Sequence, residues 1–467
     1  IDEGGKLMTV PNLFSLANVE PASGKRDQGY LRTRNVAFFA SAELGWKNML
    51  YLSATGRCDW ASQLVSNGDT PCIFYPSIGL SGIISEMVKL PEFISYLKLR
   101  TSYTEVGSPI TQTGITPGTV TDPMSGGVIN PISTYPYPDF KPERTKSYEV
   151  GINARFLNGR ISFDGTFYQS NTYNQTFLSV MSPATGYSGF YVQAGNVRNR
   201  GVEMTLGYND TFGKVNYSTH LTYTANQNKI VEMVHDYRNP IDNSLVNITE
   251  LTLKEAGDVY LREGYSMSDV FTTGILQRGR DGKLVEEGNG YQVDRSQRIR
   301  LGSADPDFTM GWRHDINYKN ISLGLMITGR FGGIVTSQTQ AFMDAFGVSK
   351  VSAEARDNGG VMLDGHRYDA ERYYNTVGGQ GLMSYYTYDA TNVRLQELSL
   401  TYSLPKKWLG DVFNNATISF VGRNLFMFYR KAPFDPDMNG STGTYNRSDF
   451  FMAPSLRNLG FSIKFSL

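Results

Sequence analysis

The chain has 467 residues, enough for two or three ordinary soluble domains or for one large barrel. Lysine plus arginine (44) equals aspartate plus glutamate (44), so no basic excess exists to neutralise phosphates and nucleic acid is excluded as the main partner. No apolar run reaches the roughly 18 residues that a membrane-crossing helix needs, while a mean hydropathy of −0.32 leaves room for strands that turn only half their residues toward lipid.

The first 33 residues read as an irregular segment. From Arg34 the pattern changes: Val36, Phe38, Ala40, Ala42 and Leu44 alternate with smaller or polar residues, a turn falls at 45–48, and Leu50, Leu52 and Ala54 return. A period of two makes one face of a strand apolar and the other polar. A polar loop follows, with Cys58 and Cys72 at its edges; they could close a disulfide in an oxidising compartment, or stay free thiols. Strands are expected at about 73–84 and 95–107, then a Pro/Gly/Thr-rich loop over 108–144. Tyr148 to Phe156 and Ile161 to Phe167 form a hairpin around Leu157-Asn158-Gly159-Arg160, and a second hairpin runs from Val202 to Tyr223 around 210–213. After a polar stretch (about 228–305), strands are expected from Phe308 and from Ile321, the latter ending before a loop at 332–391. The strand 392–404 slips in its alternation between Leu395 and Leu398, which predicts a bulge. Strand 415–428 and the terminal segment LRNLGFSIKFSL, with Leu459, Phe461, Ile463, Phe465 and Leu467 on one face, complete the chain.

Short turns and long connections alternate along this series. Outer-membrane barrels sort their loops in this way, with tight periplasmic turns and long outer loops. The expectation is therefore an all-β, transmembrane antiparallel barrel built from about 13 strands of this chain, with 29 Tyr and 26 Phe supplying aromatic girdles or ligand-facing loops. An odd number of antiparallel strands does not close on itself, and an open edge in lipid leaves backbone groups unpaired. Hence residues 34–467 are expected to be the C-terminal part of a barrel and 1–33 a piece of an outer loop, with the rest on a longer polypeptide.

Several segments together resemble SusC-like TonB-dependent transporters: FYPSIGLS (74–81), LKLRTSY (97–103), 141–168, NVRNRGVEMTL (196–206), GSADPDFTMGW (302–312), VRLQELSLTYSLPKKWL (393–409), ISFVGRNLFMF (418–428) and FDPD (434–437). The resemblance covers most of the chain from about residue 34. It implies a 22-stranded outer-membrane barrel of the Bacteroidetes, preceded by a plug domain and a TonB-contacting box that this chain does not contain. It also implies a SusD-like surface lipoprotein as lid, and active import of glycan or peptide. A passive porin is the alternative. The family's Arg-x-Asp-Gly-Ser pattern is replaced here by Arg57-Cys58-Asp59-Trp60-Ala61-Ser62.

Three sets of residues are candidates for sites. Tyr368, Tyr373, Tyr374, Tyr385, Tyr386 and Tyr388 cluster in the 332–391 loop and could stack on ligand or meet the lid, or simply pack the loop. Asp435, Asp437 and Asn439 have the spacing that opens a calcium loop, but Asn446 stands where the closing acid is needed, so a structural turn competes with a calcium site. The charged run 278–300, with Arg280-Asp281-Gly282, reads as a solvated loop. No G-x-S-x-G, H-E-x-x-H or P-loop occurs, and His220, His235, His314 and His366 lie far apart, so no enzyme and no resident cofactor beyond calcium are expected.

Overall fold

The computed structural model describes residues 2–4, 6, 10–15, 18–20, 25–27, 34–62, 72–108, 120–122, 128–130, 134–135, 141–238, 244–253, 259–410, 413–437 and 448–466. Its centre is a single sheet of thirteen strands in sequence order, every neighbour antiparallel. The strands are β1 (Asn35–Trp46), β2 (Leu50–Ala61), β3 (Ile73–Ile83), β4 (Ile94–Ser108), β5 (Glu143–Phe156) and β6 (Ile161–Tyr173). They continue with β7 (Asn196–Phe212), β8 (Val215–Glu232), β9 (Phe308–Tyr318), β10 (Ile321–Phe331), β11 (Asn392–Ser403), β12 (Asn415–Arg430) and β13 (Asn458–Ser466). Among the described residues of this sheet β1 pairs only with β2, and β13 only with β12.

The alternation sets the two faces. Phe420 lies opposite Phe461, Ile418 opposite Ile463 and Leu400 opposite Phe420, so apolar residues form rows across the strands. These rows are not packed on anything: Phe38 is 70% exposed and Phe461 80%. An exposed apolar band of this extent suits lipid rather than water. The other face is polar. Hydroxyls pair at Ser77–Thr104 (2.9 Å), Thr145–Thr172 (3.0 Å) and Thr401–Ser419 (2.8 Å), and Arg423 reaches Glu397 at 3.0 Å. Arg100 on β4 crosses the intervening strand to Asp164 on β6 at 2.8 Å. It can do so because Gly151 lies between them; a Cβ there would come within 2.5 Å of the Arg100 Nε.

At one end the links are short. The β7–β8 hairpin turns on Gly213, whose φ of +62° suits a residue without a Cβ. Trp46, Phe156, Tyr208, Tyr217, Tyr318 and Tyr402 stand on the apolar face near this end, as an interfacial girdle would. The expected bulge is present, with register shifts between Leu395 and Glu397 against β12 and between Met326 and Ile327 against β10. Among the described residues no helix is long and apolar enough to cross a membrane. The connections at the other end are long and carry structure that periodicity did not announce. Most of 1–33, together with Asn439 and Leu467, lies outside the described residues.

Candidate binding site in the outer loops

The loop after β10 contains three helices, α1 (Gln338–Ala345), α2 (Lys350–Asp357) and α3 (Ala370–Val377). Each begins on a capping side chain: Ser337, Ser349 and Asp369 accept from the N–H of Gln340, Ser352 and Arg372. The loop between β8 and β9 contributes a two-stranded ribbon, Asp269–Leu276 paired with Val293–Ser303. These two loops share one core. Leu276, Leu284 and Tyr291 from the first pack with Tyr368, Tyr373, Tyr374, Val377, Leu382 and Tyr386 from the second.

That packing decides the tyrosines. Tyr368, Tyr373, Tyr374 and Tyr386 are buried, Tyr386 to 2% exposure, while Tyr385 and Tyr388 are half-buried. A ring enclosed in this way has no face free for a ligand or lid, so of the two readings left open for those four the packing one fits the geometry. Two of the six tyrosine hydroxyls serve as anchors: Tyr368 Oη accepts from the Leu284 N–H and Tyr385 Oη from the Leu276 N–H, both at 3.1 Å. Burial raises the pKa of Tyr373 and Tyr386 above the ordinary tyrosine value and lifts Tyr388 to about 12; the charge of Asp344 adds to the effect at Tyr386 and Tyr388. The run 278–300 is largely solvated as expected, with Arg278, Arg280, Asp281, Lys283, Glu286, Glu287, Arg295, Arg298 and Arg300 exposed. Within it Leu284 and Tyr291 turn inward as core residues.

Asp435 and Asp437 converge on a guanidinium. Arg394 on β11 lies 2.8 Å from Asp435 and 2.6 Å from Asp437, with its side chain 6% exposed. Asn392 Oδ1 accepts two further bonds from it, and Arg330 approaches Asp437 at 3.6 Å. Burial would push the Asp435 carboxyl up, but Arg394 and further hydrogen-bond donors outweigh it and hold the pKa below the usual carboxylate value. A guanidinium here supplies the positive charge that a calcium ion would have brought, so the structural-turn reading fits the geometry of these two residues. No group of three or more His, Cys, Asp or Glu able to hold a metal occurs among the described residues. Cys58 and Cys72 are joined as a disulfide with Cα atoms 5.6 Å apart.

Between the ribbon, α1 and the Gly378–Gly381 segment lies a cavity of about 630 Å3, a size common for small-solute sites. Phe271, Arg295, Arg298, Gln338 and Phe342 are among its walls, and among the described residues no acidic one lines it. Phe342 also contacts Phe450 and Phe451 at ring separations of 6.2 and 5.7 Å. With Phe346 these rings make an exposed aromatic patch on the loops, away from the apolar band of the sheet.

The model for the TonB dependent receptor-like β-barrel family matches residues 9–328, more than half of the chain. The chain belongs to the TonB-dependent receptor family. Among curated proteins this receptor chain is 24% identical to "TonB-dependent receptor P3" of Formosa agariphila over an alignment of 492 positions, covering 98% of the chain and 48% of that protein. It is likewise 24% identical to "TonB-dependent receptor SusC" of Bacteroides thetaiotaomicron, covering 96% of the chain and 45% of that protein. The chain thus spans about half the length of the curated relatives it matches. The solved "RagAB peptide transporter" shares its fold, with a TM-score of 0.74 at 17% identity, over 98% of this chain and 50% of that one.

The receptor is an outer-membrane β-barrel protein, similar to SusC and to the RagA-like transporters. Its four histidines sit on separate elements. His220 bonds Ser218 on the polar face, His314 bonds Tyr217 on the apolar face, His235 pairs with Glu263 in a loop, and His366 stands beside Tyr368. Sequence reading passed over Arg295, Arg298 and Arg394. The first two were visible in the run Arg295-Ser296-Gln297-Arg298-Ile299-Arg300, whose arginines were taken as solvated; the third sits in a strand 41 residues before Asp435 and gave no signal.

Proposed function

We propose that this chain forms part of the wall and outer mouth of a SusC-like TonB-dependent importer, which brings glycans or peptides across the outer membrane. The observation that carries the reading is the asymmetry of the sheet: lipid-compatible outside, polar inside, with folded loops at one end only. A passive pore shares that asymmetry, and the match to the TonB-dependent receptor family is what favours a coupled importer. The single-sided pairing of β1 and β13 supports closure by further strands of the same polypeptide, because an open edge in lipid costs several kcal/mol per unpaired group. That remaining part would carry the plug and the TonB contact.

A SusD-like surface lipoprotein is the proposed partner at the mouth. The exposed rings of Phe342, Phe346, Phe450 and Phe451 support it, since an aromatic patch of this kind on loops favours a protein contact. Tyr385 and Tyr388, half-buried, remain the tyrosines able to contribute to contact.

Uptake of oligosaccharides and oligopeptides in cells with and without a working TonB tests the reading. Loss of uptake without TonB is the expected result. Uptake that persists at full rate in those cells would make the protein a passive porin. Co-purification with a surface lipoprotein, lost on replacing Phe450 and Phe451 by serine, tests the partner.

A further inference from the structure

We infer that the outer-loop cavity binds a carboxylate carried by the imported solute; this rests on the importer reading and names the chemistry of its ligand. The ribbon presents three arginines with different surroundings. Arg300 is paired with Asp269 at 2.7 Å. Arg295 and Arg298, which line the cavity, have neutral partners among the described residues. Arg295 makes long bonds to the Thr273 carbonyl (3.4 Å), the Gln380 carbonyl (3.4 Å) and the Gln380 amide oxygen (3.3 Å). Arg298 donates to Thr252 Oγ1 at 3.2 Å and lies 4.0 Å from the centre of the Tyr260 ring.

A guanidinium has five N–H donors in a planar fork that matches two oxygens of one anion. Those on Arg295 and Arg298 are little used, and no carboxylate among the described residues forms an ion pair with either. In a chain whose charges balance overall, a cavity with two such groups and no acid among the described residues of its walls is a local positive field. The geometry also holds Arg298 in place: the Tyr260 hydroxyl donates to Glu250, which fixes the ring, and the ring supports the guanidinium from one side. The Gly378–Gly381 segment and Gln338 add amide and carbonyl groups to the walls, and Phe342 joins the cavity to the aromatic patch. A solute bound here would lie beside the proposed lipoprotein contact.

The test uses the protein expressed in full from its own gene and purified in detergent. The probes are trigalacturonate and tri-glutamate, each measured by calorimetry beside its neutral methyl ester, with sodium sulfate as a bare-ion control. The acidic form of at least one probe is expected to bind at least tenfold tighter than its ester, and which one does so separates a sugar acid from an acidic peptide. The double variant Arg295→Gln, Arg298→Gln should lose at least roughly tenfold in that affinity, because hydrogen bonds to charged groups of this kind are worth about that factor. The variant Arg295→Lys, Arg298→Lys keeps the charge and should recover part of it, and unchanged resistance of the outer loops to protease shows that the loops of both variants are folded. Equal binding of acid and ester, undiminished binding by the Gln variant, binding of sulfate alone, or no binding below millimolar each overturns the inference. TonB-dependent uptake would survive those outcomes, whereas TonB-independent uptake with the anion preference intact would overturn the importer reading instead.

Discussion

The wall and the outer loops of this protein use the same residue types in opposite ways. In the sheet Tyr148 is 56% exposed and points to lipid; in the loops Tyr386 is 2% exposed and lies inside a protein core. The wall takes its cohesion from continuous backbone ladders, and its apolar side chains gain nothing from each other that lipid does not also give. The loops sit in water, so they need a hydrophobic core and satisfied charges of their own, as a soluble domain does. The lesson is that aromatic density says little about role until the surrounding solvent is known.

The largest break in this picture is expected at Arg394. Arg394→Ala removes the guanidinium that bridges Asp435 and Asp437, leaving the buried Asp435 without its cation and Asp437 with only the 3.6 Å approach of Arg330. A loss of about 3–5 kcal/mol is expected, seen as faster protease cleavage of the 431–457 loop while the barrel keeps its heat-shift on a gel. Collapse of the barrel itself would show that wall and loops are one cooperative unit. Next comes a matched pair: Tyr386→Ala should destabilise the loop core by about 3 kcal/mol, and Tyr148→Ala should change loop protection hardly at all. Equal losses of loop protection would break the contrast between the regions.

How much could be read in the sequence follows the same division. The wall was legible because each strand carries its own period of two, down to the bulge between Leu395 and Glu397. The loops were not. Tyr368 bonds Leu284 across 84 positions and Ser337 bonds Asp449 across 112, and no local pattern encodes such pairings. The density of tyrosine was visible, but not which way the rings face. The Asp435–Asp437 spacing was visible too, yet the cation opposite them comes from another strand. Helix caps at Ser337, Ser349 and Asp369 were the available signal for the three helices, and α1, α2 and α3 are too short for periodicity to stand out.

A smaller effect tests the two faces of the wall. Leu206 lies on the apolar face of β7 and its neighbour Thr205 on the polar face, opposite Asp164. Leu206→Arg should cost about 2–4 kcal/mol in folding into bilayers. Thr205→Lys should cost almost nothing, since it meets water and a carboxylate. The reverse order would turn the barrel inside out.

The smallest expected effect is a pH dependence in the outer loops. Glu263 accepts from His235 Nε2 at 3.0 Å and from the Met233 N–H at 3.2 Å, so one carboxylate ties the start of the β8–β9 loop to its middle. The hydrogen bond to Glu263 raises the His235 pKa above 6.5; that of Glu263 is lowered from 4.5, burial being outweighed by its two donors. A raised folded-state histidine pKa means the added stability is complete below the unfolded value near 6.5 and is lost as pH rises through the folded one. The carboxylate sets the other limit, since its share is present above 4.5 and lost as pH falls through its own folded value. The Met233 amide should therefore be protected from hydrogen exchange most strongly between these limits. His235→Gln should reduce that protection at pH 5.5 and leave it unchanged at pH 8.5, relative to the parent at each pH. Both groups are near the surface, so the difference should shrink in high salt. A variant that matches the parent at pH 5.5 would mean the tie is held by the Met233–Glu263 bond alone, and the loops would then lack the charge dependence that sets them apart from the wall.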